Sequence, residues 1–344
     1  MTHDDVEPIH APRLPAGARA WILQSGKVGH EVNCLGVARE LGLDPELRAV
    51  APRGLFGFFA PWGPIDPRDW PSRPGSPLRG PFPDIVFASG RITVPYLRAV
   101  KRASGRACFT VFLQDPRAGT GAADLIWVPE HDRLRGDNVV VTLTSPHPLR
   151  PAVMAQARAA IDPRLAGLPA RRIGMVLGGP SGSHSFEARD IAALADIARE
   201  ILASGQALMV TPSRRTPPEA MQAIAAAVAA SGAGARAFIW DGTGDNPYAQ
   251  ILAQASALVV TSDSVNMVGE AASTGVPVHV YEPTGGAAKM AGFIDGLVKA
   301  QAVRRLPDRR PAGWMDASWT YPPVDATGII AREVVKTYRA FKGL

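Results

Sequence analysis

The chain has 344 residues, 46% of them hydrophobic, with a formal net charge of +6. That length and composition support a sizeable core and suggest two domains, which excludes a disordered chain and a small disulfide scaffold. No apolar run reaches the roughly 18 residues needed to cross a bilayer.

The opening MTHDDVEPIH is acidic and lacks the apolar segment of a signal peptide, so the residues before Arg19 read as a loose tail. Strands are then expected near 19–23, 84–88, 109–113, 124–128 and 138–143, with helices over 31–41 and 94–103. A second series follows LAGLPARR. Its strands fall near 172–177, 206–211, 236–240, 257–261 and 277–281, and its helices over 186–203, 218–230, 247–255 and 265–274. A last amphipathic helix covers 326–341. Short apolar strands alternating with helices predict an α/β chain of two doubly wound, Rossmann-like domains facing across a cleft. The boundaries are placed at 1–165, 166–310 and 311–344, the last segment a loop and helix that can return to the first domain. Cys34 and Cys108 fit no metal spacing and read as small buried residues in a reduced cytoplasm.

Between Arg53 and Arg106 nine basic residues face three acidic ones, a surplus equal to the whole net charge. Such a window can meet nucleic acid, an anionic membrane or a phosphorylated substrate, but no nucleic-acid motif accompanies it, so no nucleic-acid partner is expected. Within it, 53–83 is too rich in Pro and Gly for regular structure through most of its length. Two readings of its Leu55, Phe56, Phe58, Phe59 and Trp62 stand. They pack on their own domain, or they form an apolar tip with a basic collar that enters an anionic membrane.

The loop QSGKVGHE follows the first strand. Val28 after Lys27 excludes a Walker loop, and Gly26 and Gly29 do not make a dinucleotide fingerprint. What is left is a tight strand-to-helix turn with His30 at the helix entry. A neutral imidazole there can accept a proton from an attacking hydroxyl; the alternative is a histidine that caps or packs locally. Other strand ends in this half carry Ser89, Arg91, Asp115, Arg117, Glu130, His131 and Asp132. His131 and Asp132 are neighbours and would point opposite ways in an extended segment. Gly26, Lys27, Gly29, Ser89, Arg91 and Arg117 are assigned to an acceptor side, and His30, Asp115 and His131 are the catalytic candidates.

In the second half, LGGPSGSHSF places Gly178, Gly179, Ser181, Gly182 and Ser183 between strand and helix, a plausible diphosphate loop. Arg214 and Arg215 follow another strand and can neutralise phosphate, or are simply solvated. Trp240 either flanks a base or is a buried strand-end residue. Ser262, Asp263 and Ser264 end the next strand, before a helix carrying Asn266, Met267 and Glu270. Its N-terminal amides favour an anion, and Glu270, one turn beyond Asn266, can accept from ribose hydroxyls; otherwise the helix is only well capped and Glu270 solvated. No metal-ligand spacing is convincing.

These motifs resemble known proteins. LGGPSGS and TSDSVNMVGEAASTGVPVHV are similar to the donor motifs of the lipid-linked N-acetylglucosaminyltransferase of peptidoglycan synthesis, a GT-B enzyme. SGKVGH, LQDPR, VPEHD, GGPS, SRRTP and TSDSVNMVGEA resemble, over nearly the full length, the ELM family of plant mitochondrial-fission proteins and bacterial glycosyltransferase-like proteins. The resemblance implies a GT-B fold with the donor in the C-terminal domain, Glu270 as ribose ligand, and Ser181, Ser264 and the loop amides as diphosphate ligands. The expected activity is a metal-independent, inverting transfer of a sugar from a nucleoside-diphosphate sugar to a hydroxyl acceptor, which can be lipid-linked. No covalently bound cofactor is expected, and the expected location is cytoplasmic or peripheral on the inner face of a membrane. Two alternatives stay open: a nucleotide-sugar epimerase on the same fold, and a non-catalytic scaffold.

Overall fold

The computed structural model describes residues 13–316 and 318–344. In chain order the first elements are β1 (Ala20–Gln24), α1 (Val28–Glu40), β2 (Glu46–Ala49), α2 (Leu55–Phe58), β3 (Ile85–Ala88), α3 (Val94–Ala103), β4 (Phe109–Leu113), β5 (Leu125–Pro129) and β6 (Val139–Thr142). Then come α4 (Pro151–Ala159), α5 (Pro163–Ala166), β7 (Arg172–Leu177), α6 (Ala188–Ala203), β8 (Ala207–Pro212), α7 (Pro218–Ala230) and β9 (Ala237–Ile239). The last are α8 (Tyr248–Gln254), β10 (Ala257–Thr261), α9 (Val265–Ala272), β11 (Val278–Tyr281), α10 (Ala288–Lys299), β12 (Arg304–Arg305) and α11 (Ala326–Lys342). No described helix is long and apolar enough to cross a membrane.

The chain forms two compact units, one running to Arg150 and including Asp325–Leu344, the other Pro151–Val324. The stretch 151–165, assigned to the first domain from sequence, belongs to the second, because α4 is tied to α8: Gln254 Nε2 donates to the Ala157 carbonyl at 3.0 Å. Residues 311–324 also stay with the second unit. Trp314 is buried in its core and its indole donates to Glu200 at 2.7 Å.

The first unit is a parallel sheet of order β2-β1-β3-β4-β5-β6. Its strands alternate faces with period two, as a doubly covered sheet requires. Ile22, Ile85, Phe87, Val111 and Trp127 pack with α1 and α11; Trp21, Leu23, Val86, Phe112 and Ile126 pack with α3. Cys34 and Cys108 are buried free thiols, and burial pushes both upward in pKa, Cys108 to about 12. Residues 1–12 of the expected tail lie outside the described residues. Leu14 is not tail: it is buried, and its amide donates to the Leu41 carbonyl at 3.3 Å.

The second unit repeats the plan with order β12-β11-β10-β7-β8-β9, again all parallel. In each sheet the order reverses once, between β1 and β3 and between β7 and β10. Open α/β sheets bind ligands outside the C-terminal ends of strands at such switch points.

Candidate functional site

In the second unit the loops after β7 and β10 flank the switch point. Asp263, whose side chain is fully buried, joins them. It accepts from the Gly179 amide at 3.0 Å, from Thr261 Oγ1 at 2.7 Å and from Arg215 Nη2 at 2.8 Å. Arg215 also donates to the Gly179 and Pro180 carbonyls at 2.9 and 2.8 Å. Thr261 Oγ1 in turn accepts from the Gly178 amide at 2.7 Å. The two glycines are therefore needed for close packing. A Cβ at Gly178 would lie 2.0 Å from an Asp263 oxygen, and one at Gly179 1.9 Å from the Arg215 carbonyl oxygen.

This corrects four sequence expectations. Gly178 and Gly179 do not present their amides to a ligand, because Thr261 and Asp263 consume them. Arg215 is not a free phosphate ligand, and Asp263 is an internal counter-ion. Beyond them the chain turns on Ser181, whose Oγ accepts from the amides of Ser183 and His184 at 3.3 and 3.1 Å. Among the described residues, Gly182 alone of 178–185 keeps a backbone N–H with no partner within the chain, Pro180 having none to offer.

Beside this lock lies a cavity of about 560 Å³. Leu177, Arg214, Trp240, Tyr248 and Met267 are among its walls. It opens at the C-terminal ends of β7 and β8 and is of ordinary ligand size. Arg214 is exposed on its rim. Trp240 is half-buried, its indole donating to the Thr243 carbonyl at 2.9 Å, so it both packs and faces the cavity. Ser264 caps α9 by accepting from the Met267 amide at 3.4 Å, while Asn266 is exposed and outside the cavity wall. Glu270 is not solvated. It is half-buried and accepts from the Tyr248 hydroxyl at 2.5 Å, and Tyr248 in turn lines the cavity.

Burial pushes the Glu270 carboxyl up to about 7, the Tyr248 hydrogen bond opposing part of that rise. A carboxyl raised on folding stabilises the fold at low pH, and that stability is lost as pH rises past its unfolded value and through about 7. The carboxyl-carbon NMR shift of Glu270 is thus expected to titrate near neutrality. A midpoint in the ordinary glutamate range would show a solvated side chain instead.

A second hollow of about 250 Å³ lies at the entry to α10, beside Ser262. Gly285 and Gly286 line it with φ of 101° and 114°, left-handed backbone suited to glycine. His184, 5% exposed, closes it; its Nδ1 lies 3.3 and 3.2 Å from the Ser181 and Ser183 hydroxyls. No side chain caps α10. Sequence reasoning missed Tyr248, His184 and this helix entry. The signals were present in DNPY, SGSH and PTGGAA, but each is a loop of ordinary composition until folding assembles it.

In the first unit Gly26 has a φ of 77° and turns the chain from β1 into α1, with exposed Lys27 as its N-cap residue; exposed Gly29 lies in the first turn. His30 is half-buried with its Nδ1 3.0 Å from Ser25 Oγ. Gly90, from the loop after β3, is pressed against it: a Cβ there would sit 2.6 Å from that Nδ1. Burial and then the Lys27 cation hold the imidazole below its usual range, against an opposing pull from Glu31, which favours its neutral form. Ser89 is buried and donates to the Leu113 carbonyl at 2.6 Å, which removes it from an acceptor role. Arg91 braces the earlier 53–83 segment through the Ala60 carbonyl at 2.6 Å. Asp115 Oδ1 accepts from the exposed Arg117 amide at 2.7 Å, a turn-forming contact. His131 and Asp132 do meet, Nε2 to Oδ1 at 3.8 Å, because the chain turns there instead of running extended. Among the described residues no group of three or more His, Cys, Asp or Glu side chains could hold a metal ion.

Two parallel α/β units, each with its loops at a single switch point, define a GT-B-like protein. Solved structures share that fold. S. aureus MnaA, solved as a co-structure with UDP, is 13% identical with a TM-score of 0.55, covering 95% of this chain and 97% of that one. The UDP-GlcNAc 2-epimerase of Methanocaldococcus jannaschii is 10% identical with a TM-score of 0.53, covering 92% and 98%. The family model described as mitochondrial fission ELM1 matches residues 28–338, and the chain belongs to that family. It is 29% identical to the mitochondrial fission protein ELM1 of Arabidopsis thaliana over 275 residues, 73% of this chain and 63% of the plant protein. It is 30% identical to the uncharacterized protein RP120 of Rickettsia prowazekii over 169 residues, 47% of this chain and 45% of that protein. The chain therefore spans less than two thirds of either relative.

Proposed function

We propose that the second unit binds a nucleoside-diphosphate sugar and that the protein transfers the sugar to a hydroxyl acceptor. The cavity beside the switch point carries this reading, with Trp240 and Met267 as walls for a base and Arg214 at its rim for phosphate. Glu270 receives the ribose: its carboxylate holds the Tyr248 hydroxyl as a placeholder that a ribose hydroxyl replaces. The α9 entry and the hollow formed by Ser262, His184 and α10 take the diphosphate and sugar, where helix N-termini favour negative charge. In the reaction the acceptor oxygen bonds to the anomeric carbon and the bond to the diphosphate oxygen breaks. The acceptor proton passes to a general base, for which His30 is the candidate, and the positive charge and amides stabilise the leaving diphosphate. The fold is shared with proteins named as UDP-GlcNAc 2-epimerases, so isomerisation of the donor is the second reading.

A turnover assay with UDP-sugars separates the possibilities. Sugar release that requires an added hydroxyl acceptor supports transfer. Conversion of the donor alone supports epimerisation, and binding without turnover supports a scaffold. For a transferase, His30→Ala is expected to lower turnover by about 100-fold or more while leaving donor affinity unchanged; an unaltered rate removes His30 as the base.

A further inference from the structure

The first unit carries a surface that the donor site does not use. Leu55, Phe58, Phe59 and Trp62 are 54–74% exposed and clustered at α2 and the turn after it, while Phe56 is half-buried. The reading in which these aromatics pack on their own domain therefore fails for most of them. Singly exposed apolar residues need no explanation, but a contiguous patch does. The tip is held firmly: Arg91 binds the Ala60 carbonyl and Arg98 the Pro61 carbonyl at 3.1 Å.

Behind the tip lies a cavity of about 520 Å³, walled by Trp62, Ile65 and Trp70 and rimmed by Arg73, Arg98 and Arg102. Arg98 and Arg102, one helical turn apart on α3, also border a second hollow of about 660 Å³ that adds Arg106. The acids of the segment do not offset this charge. Asp66 and Asp69 are buried and consumed by Arg53, Arg68 and Tyr96 at 2.6–3.0 Å. Arg73, Arg79, Arg102 and Arg106 have no carboxylate partner among the described residues.

We infer that this face docks on an anionic phospholipid bilayer. The α2 tip enters the interfacial layer, and the arginine-rimmed cavity takes a lipid phosphate. The charge pattern selects this occupant. An apolar tip gains by leaving water, and surplus cations beside it gain near negative headgroups.

The test is sedimentation of the full chain with vesicles of phosphatidylcholine alone, and with roughly a third phosphatidylglycerol. The wild type is expected to partition onto the anionic vesicles at least about tenfold more than onto the neutral ones, and less at high salt. Phe58→Ser/Phe59→Ser and Arg73→Glu/Arg102→Glu are each expected to lose about tenfold or more, with unchanged thermal midpoints showing an intact fold. Equal partitioning of wild type and folded variants overturns the inference, as does equal binding to both vesicle types. Retention on a nucleic-acid oligomer without vesicle binding overturns it too, assigning the face to another polyanion. A Phe58→Ser/Phe59→Ser protein that fails to fold leaves the charge-reversed pair to decide.

Discussion

Asp263→Ala is expected to lower the melting midpoint of the second unit by roughly 6–12 °C, the effect of losing about 3 kcal/mol in a unit of this size. The side chain is fully buried and has three donors: the Gly179 amide, Thr261 Oγ1 and Arg215. Truncation strands all of them, and leaving buried donors without acceptors costs more than a hydrogen bond contributes when formed. Arg215 itself is 43% exposed, so water recovers part of its loss, which keeps the figure at the low end for a broken buried pair. Asp263→Asn keeps one acceptor oxygen and is expected to fall between the two. Thermal unfolding by circular dichroism decides it; a midpoint within about a degree of wild type would mean that the carboxylate does not lock the two loops.

Glu270→Ala is expected to weaken nucleoside-diphosphate-sugar binding by roughly 10- to 100-fold, the worth of a hydrogen bond to a charged group. Tyr248→Phe removes the placeholder but not the acceptor and is expected to leave affinity close to wild type. The pair distinguishes the ribose role from a merely structural one, since a structural Glu270–Tyr248 bond predicts that both variants suffer alike. Nucleotide sugars are the right probe because their diphosphate does not itself titrate near pH 7. With them, wild-type affinity is expected to rise as the Glu270 carboxyl ionises through about 7, and Glu270→Gln to flatten that rise.

Much of the fold is legible in the sequence because most strands lie inside doubly covered sheets. β7 and β10 are apolar runs bounded by turn residues, and each extends over the residues expected for it. The strands missed are both edges. β2, ELRA, has three exposed residues of its four, and β12 is two exposed arginines, so neither has the apolar signature that a buried strand must carry. The site is legible at its switch-point loops and less so in its roles. Gly178, Gly179 and Arg215 were recognised by type and position, but the same residue types serve a ligand or a packed loop. Only the position of Asp263 decides between them. Tyr248 is 22 residues from Glu270 in sequence, and no local pattern announces that pairing.

A nucleotide held by the second unit in the cavity beside its switch point would protect the loops around it. Hydrogen–deuterium exchange with and without UDP tests it most directly, since UDP was found with a protein of this fold. Slowed exchange is expected in 176–183, 211–216, 240–248 and 262–270, and none of comparable size in the first unit. No slowing with UDP or any other nucleoside diphosphate, or slowing confined to the first unit, would contradict it.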